Sequence, residues 1–481
     1  MSTDEHVAPA DDAADAGSAV DDVADRDTSA RSAWSVLRPL VLRLHFYAGV
    51  LVAPFLLIAA TTGLLYAGSY QAEKLVYGHE LRVEAGDTKL PLSRQIDAAR
   101  KAHPEGTISA VRPSPDDTAT TRVMLSGVKG VAEGHTRAVF VDPYTAKVRG
   151  ALEQYGSTGA LPLRTWIDEF HRDLHLGQSG RLYSELAASW LWVITGGGLL
   201  LWFARRRNKR SAAETAAPAT GRRRTLGLHG GLGVWVAAGL FFLSATGLTW
   251  STYAGANVTD LRSAVNQSTP AVASGLTGEH AGHGAMPGMD MGGSGGGGHK
   301  ATDVGYDAVL KAARVKGLGD PVEIVPPSGP SAAYTVSQIQ RSWPEKQDAV
   351  AVAPATGEVT DTVRFADYPL LAKLSRWGID LHTGVLFGIV NQLALAALAL
   401  SLILLIVWGY RMWWQRGRAG AFGRPLPRGA WRQVPGYVLA PLAVGAAVVG
   451  YYLPLLGIPL AAFLAVDIAA GRIAARRSQR A

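Results

Sequence analysis

Two histidines stand at the mouths of long apolar runs, after closely similar phrases: Leu42-Arg43-Leu44-His45 and Leu226-Gly227-Leu228-His229. They lie 184 positions apart (229 − 45), and so do Gly63 and Gly247, which close the runs in Thr-Gly-Leu (247 − 63). An equal offset over a whole segment marks an internal duplication. Imidazole suits haem iron, and facing helices of a bundle can offer one ligand from each side. Neither histidine has a nearby carboxylate or cysteine to complete a tetrahedral zinc site. The chemistry expected of this pair is haem ligation.

A second pair follows from another repeated phrase, Asp173-Leu174-His175-Leu176-Gly177 and Asp380-Leu381-His382-Thr383-Gly384. It makes His175 and His382 the ligands of a second haem. His171 lies four residues before His175, on the same face of a helix. It either replaces His175 as ligand or contacts a haem propionate or substrate. By the same match its counterpart is Gly378 (171 + 207), which leaves the choice open. Gly49 and Gly233 each follow a histidine by four residues, so a flat macrocycle can approach there; ordinary close packing of helices is the competing explanation. For all these histidines the bland alternative is an interfacial residue bonded to headgroups or loops. Ionisable groups near membrane depth are nonetheless functional candidates by default.

A glycine-rich stretch from Ser274 to Lys300 carries His280, His283, Met286, Met289, Met291 and His299. Thioether and imidazole ligands suit Cu(I), so the first five are candidate metal ligands. A flexible linker with incidental residues is the other reading.

The elements that must position these groups are membrane spans. Of the 481 residues 48% are hydrophobic, and they are bunched into runs of bilayer length. There is no cysteine, which excludes disulfides and thiolate-bound clusters. The net charge of +8 does not mark a nucleic-acid partner, because the basic residues crowd the ends of spans. Such crowding marks the cytoplasmic side. Residues 1–30 hold nine Asp/Glu and a single Arg26, with no apolar core, and read as a disordered acidic tail, not a signal peptide.

The expected order is span 1 at 38–68, a first extracytoplasmic domain at 69–164, and span 2 at 165–204 with its histidine motif. A basic cytoplasmic linker (205–224) leads to span 3 at 225–254, the His/Met/Gly-rich loop at 255–300 and a second domain at 301–370. Span 4 with its motif covers 371–416, and 434–471 reads as two short spans in a hairpin. Basic flanks on both sides of that last stretch demand an even number of crossings; a single tilted helix is the alternative. The fold class expected is a membrane α-helical bundle of two span–domain–span units plus a C-terminal hairpin, in the cell membrane, with both termini cytoplasmic. Each outside domain reads as α+β: a short helix, then alternating strands with a Pro-Tyr-Thr or Pro-Ala-Thr turn (Pro143, Pro354).

Three stretches carry a family resemblance: Phe170 to Gly177, Val141-Asp142-Pro143-Tyr144-Thr145, and His382 to Gly388 with Asn391-Gln392. Together with the duplicated layout they resemble the PepSY-associated transmembrane family, over about Arg38 to Arg418. The outside domains are similar to PepSY domains, a helix on a small antiparallel sheet. The resemblance implies b-type haem, iron uptake and, in some members, reduction of ferric siderophores. It implies a conduit here, with a cytoplasmic-side haem on His45 and His229 and an outer haem on His175 and His382. Ala353 stands where the motif has an acidic residue, and the His/Met loop is an addition that raises copper as substrate or ligand. The leading expectation is therefore a membrane electron-transfer protein that reduces an extracytoplasmic metal complex, its electron donor unknown. The competing one is a non-catalytic metal-binding or regulatory membrane protein. A transporter fits less well, because the spans carry few charges.

Overall fold

The computed structural model describes residues 33–210, 221–275, 303–415 and 434–478. The candidate metal ligands His280, His283, Met286, Met289 and Met291 lie outside the described residues, as do the acidic tail and residues 211–220 of the basic linker.

Helices α1 (Ala33–Leu51) and α2 (Ala53–Val76) form one long rod interrupted at Val52, two residues before Pro54. Proline offers no N–H to the preceding turn, and the Val50 carbonyl it leaves unbonded accepts from the Tyr410 hydroxyl at 2.9 Å. The hydrogen bonds Val52 N–H to Ala48 O (2.8 Å) and Leu56 N–H to Val52 O (3.1 Å) carry the helix across the break. After α3 (Gly78–Leu81) come α4 (Leu92–Ala102) and strands β1 (Thr107–Arg112), β2 (Thr121–Ser126), β3 (His135–Val141) and β4 (Val148–Tyr155). Helix α5 (Pro162–Asp173) returns the chain to α6 (Gln178–Arg210). The second unit repeats this order. Helices α7 (Gly221–Leu248) and α8 (Tyr253–Ala264) precede α9 (Gly305–Val315). Strands β5 (Val322–Val325), β6 (Tyr334–Gln338), β7 (Ala349–Val352) and β8 (Val359–Val363) follow, then α10 (Leu370–His382) and α11 (Gly388–Trp414). Helices α12 (Gly436–Tyr452) and α13 (Pro454–Ser478) close the chain as two rods turning at Leu453.

Five of these helices are long and apolar enough to cross a membrane, those that include Ala53–Val76, Gln178–Arg206, Gly221–Leu248, Gly388–Trp414 and Pro454–Arg476. Helix α12, at 17 residues, is apolar but shorter. The α12–α13 turn is tight because two glycines meet there: a Cβ on Gly457 would lie 2.5 Å from the Gly450 carbonyl oxygen.

The two α+β domains share one sheet. Its order is β4-β3-β2-β1-β5-β6-β7-β8, antiparallel throughout, joined at the centre where Val111 of β1 pairs with Ile324 of β5. Strand alternation sends Val111, Val123, Val139, Ile324, Val336 and Val350 to one face, where Ile96 and Ala99 of α4 and Val309 and Ala313 of α9 cover them. One of these helices also caps the other. Asp307 of α9 accepts from the Leu92 and Ser93 backbone N–H groups at the start of α4, at 2.6 and 3.0 Å. A carboxylate at a helix N-terminus satisfies donors that the helix itself leaves unpaired.

In the bundle, α2 packs on α6 and α11, and α7 packs on the same two helices. Two carboxylates on the spans are engaged. Glu185 of α6 accepts from the Tyr253 and Ala254 N–H groups at the head of α8, at 3.0 and 2.9 Å. Asp467 of α13 pairs with Arg43 of α1 at 2.9 Å, with both side chains buried.

Candidate functional site

His45 on α1 and His229 on α7 face one another across the bundle. Their ring centroids are 6.4 Å apart and their planes 77° from parallel. His45 donates from Nδ1 to the Ile194 carbonyl oxygen of α6 at 2.9 Å, and His229 from Nδ1 to the Leu405 carbonyl oxygen of α11 at 3.0 Å. A carbonyl can only accept, so Nδ1 carries the proton and Nε2 keeps its lone pair. The acceptors obey a repeat of their own: Ile194 and Leu405 are 211 positions apart (405 − 194).

A run of three glycines in α6 makes room for His45. A Cβ on Gly198 would lie 3.1 Å from His45 Cε1, and one on Gly197 3.6 Å from His45 Cβ. The histidine-plus-four glycines do less: a Cβ on Gly49 would meet nothing within 4 Å, and one on Gly233 only Leu405, at 3.8 Å.

At the sheet end of the bundle the residue opposite His382 is His171. His382 lies close enough to sense the charge of His171. Their Nδ1 atoms are held alike: His171 by Thr62 Oγ1 at 2.8 Å, and His382 by Thr246 Oγ1 at 2.6 Å. Thr62 and Thr246 are themselves 184 apart (246 − 62). Each hydroxyl donates one turn back, Thr62 to the Ile58 carbonyl (2.9 Å) and Thr246 to the Phe242 carbonyl (2.7 Å). With its proton used there, the threonine oxygen accepts from the ring, and Nε2 is again the free nitrogen. Gly63 gives His171 its place, since a Cβ there would approach Cε1 to 3.2 Å. Tyr66 stacks on His171 with centroids 6.5 Å apart, and Trp250 meets His382 edge-on at 5.8 Å.

His175 goes elsewhere. Helix α5 ends at Asp173, and Leu174 and His175 both take left-handed backbone with φ of 55°. The ring lies exposed against Trp166 and Phe170, centroids 5.0 and 5.9 Å away, with Glu169 Oε2 3.5 Å from its Nδ1. The four-residue spacing puts His171 and His175 on one helical face only if the helix continues, and it stops between them. The equation of His171 with Gly378 is therefore corrected: the counterpart of His171 is His382.

The signal for that register was present in the sequence. From the third strand onward the repeat is 211, as in Pro143/Pro354 and Trp166/Trp377, and in Gly177/Gly388, whose φ values are +56° and +58°. Adding 211 to 171 gives 382. The two Asp-Leu-His phrases match at 207, one helical turn out of step with the fold.

Asn391 and Gln392 hold the turn after His382, through Asn391 Nδ2 to the Leu381 carbonyl (2.9 Å) and Gln392 Nε2 to the Gly384 carbonyl (3.3 Å). Gln392 also accepts from Gln71 Nε2 of α2 at 3.0 Å, linking this turn to the first unit. Beside it lies a charged cluster that the sequence did not reveal. Asp380, fully buried, is bound by Arg341, and Glu345 by Arg376 at 2.7 Å. Burial, and then the neighbouring Asp380 charge, push the Glu345 carboxyl up to about 7.

Along each histidine-bearing rod the two levels are 17 residues apart, from His45 to Thr62 and from His229 to Thr246. At about 1.5 Å per residue that is roughly 26 Å, close to the thickness of a hydrocarbon core. Among the described residues no group of three or more His, Cys, Asp or Glu converges as a metal site. His45 and His229 meet as a pair.

A search among curated proteins finds no match. Residues 42–416 match the family described as the PepSY-associated TM region, a stretch that runs from the phrase before His45 to the end of α11. It takes in all four paired histidines and both halves of the sheet, and the chain belongs to that family.

Proposed function

We propose that the protein is a membrane electron-transfer protein holding two b-type haems, one between His45 and His229 and one between His171 and His382. The observation that carries this reading is the geometry of the first pair. His45 and His229 would hold one metal between their rings through the unprotonated Nε2 of each. The ring centroids are 6.4 Å apart. A pair without further protein ligands suits a metal whose other four positions are filled by a macrocycle. The absence of cysteine from the chain fits non-covalent haem. Each ring has Nδ1 engaged, the arrangement that orients a ligating histidine and raises its basicity.

Such a group, when bound, takes up and releases one electron at a time. The chain's part is to hold the two levels at a fixed separation near the two faces of the membrane. Basic residues at the ends away from the sheet, among them Arg205, Arg206, Arg222 to Arg224 and Arg411, support a cytoplasmic position for the His45–His229 level. The sheet is then extracytoplasmic. Electrons from a cytoplasmic donor leave at the His171–His382 level for a metal complex, such as a ferric siderophore or a copper complex, which links the protein to metal uptake.

The test is the absorbance spectrum and haem content of protein purified after haem-replete expression. Two haems per chain are expected, falling to one in His45→Ala or His229→Ala and to one in His171→Ala or His382→Ala. His175→Ala should keep both. A folded, colourless protein would overturn the proposal and leave a metal-binding or regulatory role.

A further inference from the structure

The face of the sheet turned toward the bundle carries a row of charge that its own residues do not balance. Arg122 of β2 is paired in register with Phe140 of β3 on one side and with Arg112 of β1 on the other. Like charges directly opposite one another on antiparallel strands repel. Arg112 is neutralised by Glu323 of β5, Nε to Oε2 at 2.7 Å. Arg122 has no carboxylate within ion-pair distance among the described residues; its Nη1 reaches only the Gln154 side chain and the Gly159 carbonyl, both at 3.4 Å. Burial, and then the charge of Arg112, lower the Arg122 pKa to about 10.

The two guanidiniums converge beside Gly159, where a Cβ would lie 2.5 Å from Arg112 Nη1 and 3.2 Å from Arg122 Nη1. They line a cavity of about 190 Å³ where the two halves of the sheet join, together with Leu81, Thr120, Thr158 and Ile339. That is smaller than the roughly 300–1,000 Å³ of ordinary organic-ligand pockets. It suits a small anion, or one anionic arm of a larger molecule. The cavity also connects to the sheet-side histidines. Arg164 donates to Thr158 Oγ1 at 3.2 Å and lies 4.6 Å over the ring of Tyr70. Tyr70 is 5.8 Å from Tyr66 between centroids, and Tyr66 stacks on His171.

We infer that this cavity binds the oxyanion groups, carboxylate or phosphate, of a small ligand, with Arg122 as the residue whose charge the ligand completes. As the docking point for an anionic metal chelate, it rests on the electron-transfer reading; as an anion site, it does not.

The experiment is calorimetric titration of the full chain in phosphatidylcholine nanodiscs with citrate and, separately, with inorganic phosphate. Saturable binding of either probe is expected, weakened about tenfold or more in Arg122→Gln, which removes a charge-assisted bond but keeps a polar side chain. Arg122→Lys should recover part of the loss, and the exposed Lys129→Gln should change nothing. Equal binding in Arg122→Gln would overturn the inference. So would binding of neither probe, including the case where only nanodiscs containing phosphatidylglycerol show an Arg122-dependent lipid contact. The heat of binding is read without reference to haem, so a colourless protein that binds citrate would sink the electron-transfer reading alone.

Discussion

The two histidine pairs present the same chemistry by different means. His45 and His229 give their Nδ1 protons to backbone carbonyls of neighbouring helices, Ile194 and Leu405. His171 and His382 give theirs to threonine hydroxyls, which hand their own protons down the helix. A carbonyl cannot be substituted and cannot reverse its role. A hydroxyl can do both. The level away from the sheet is thus held by the backbone, while the sheet-side level is adjustable by side chains.

That contrast can be broken most directly by removing a ring. His382→Ala should abolish haem at the sheet-side level and leave the other level's spectrum intact, with His45→Ala giving the mirror result; loss of both haems from either variant would show that the levels are not separate. Next in size is Asp467→Asn. It takes the Asp467 carboxylate from the buried Arg43, two residues from His45, and removing one partner of a buried ion pair costs about 3–5 kcal/mol. Thermal unfolding should shift down, and haem should be lost first from the His45–His229 level. A milder variant is Thr62→Val, which deletes the acceptor for His171 and should weaken haem retention at the sheet-side level about 10- to 100-fold by competition with apomyoglobin. No change there would mean that the threonine is only a helix residue.

Smaller still is a pH effect confined to the sheet side. The Glu345 carboxyl, raised to about 7, binds its proton more tightly folded than unfolded. Stability should therefore decline as pH rises from the ordinary carboxylate range through about 7, and Glu345→Gln should flatten that slope in thermal melts. The smallest effect is expected from Gly198→Ala, whose new Cβ would sit 3.1 Å from His45 Cε1. It should tilt the ring without displacing haem, visible as shifted electron paramagnetic resonance g-values of one level only.

Much of this was legible in the chain itself. The spans, their order and the His45–His229 pair follow from apolar runs and one offset, because a helix in lipid must be apolar along its length and a duplicated helix carries its histidine at the same place. The sheet-side pair was misaligned by a local phrase. Asp173 and Asp380 look equivalent, yet Asp173 ends a helix and receives Arg172 at 3.2 Å, while Asp380 sits inside one, bound by Arg341. Two offsets coexist, 184 and 211, and only the second applies beyond the inserted loop. The junction of the two sheet halves was not legible at all. Pairing between Val111 and Ile324, 213 residues apart, leaves no periodic trace in either strand. Thr62 and Thr246 belong to the repeated Thr-Gly-Leu phrase, but nothing in it marks them as partners of histidines, since a threonine bonded one turn back is common on any apolar helix.

The shared sheet bears on what the two halves can do relative to one another. Many carriers built from two repeats work by rocking one repeat against the other about a central site. Here β1 and β5 are stitched edge to edge, Asp307 of the second half caps a helix of the first, and Gln71 of the first half holds Gln392 of the second. Rocking would tear all three. The halves are splinted, so the distance between the two histidine levels is held fixed.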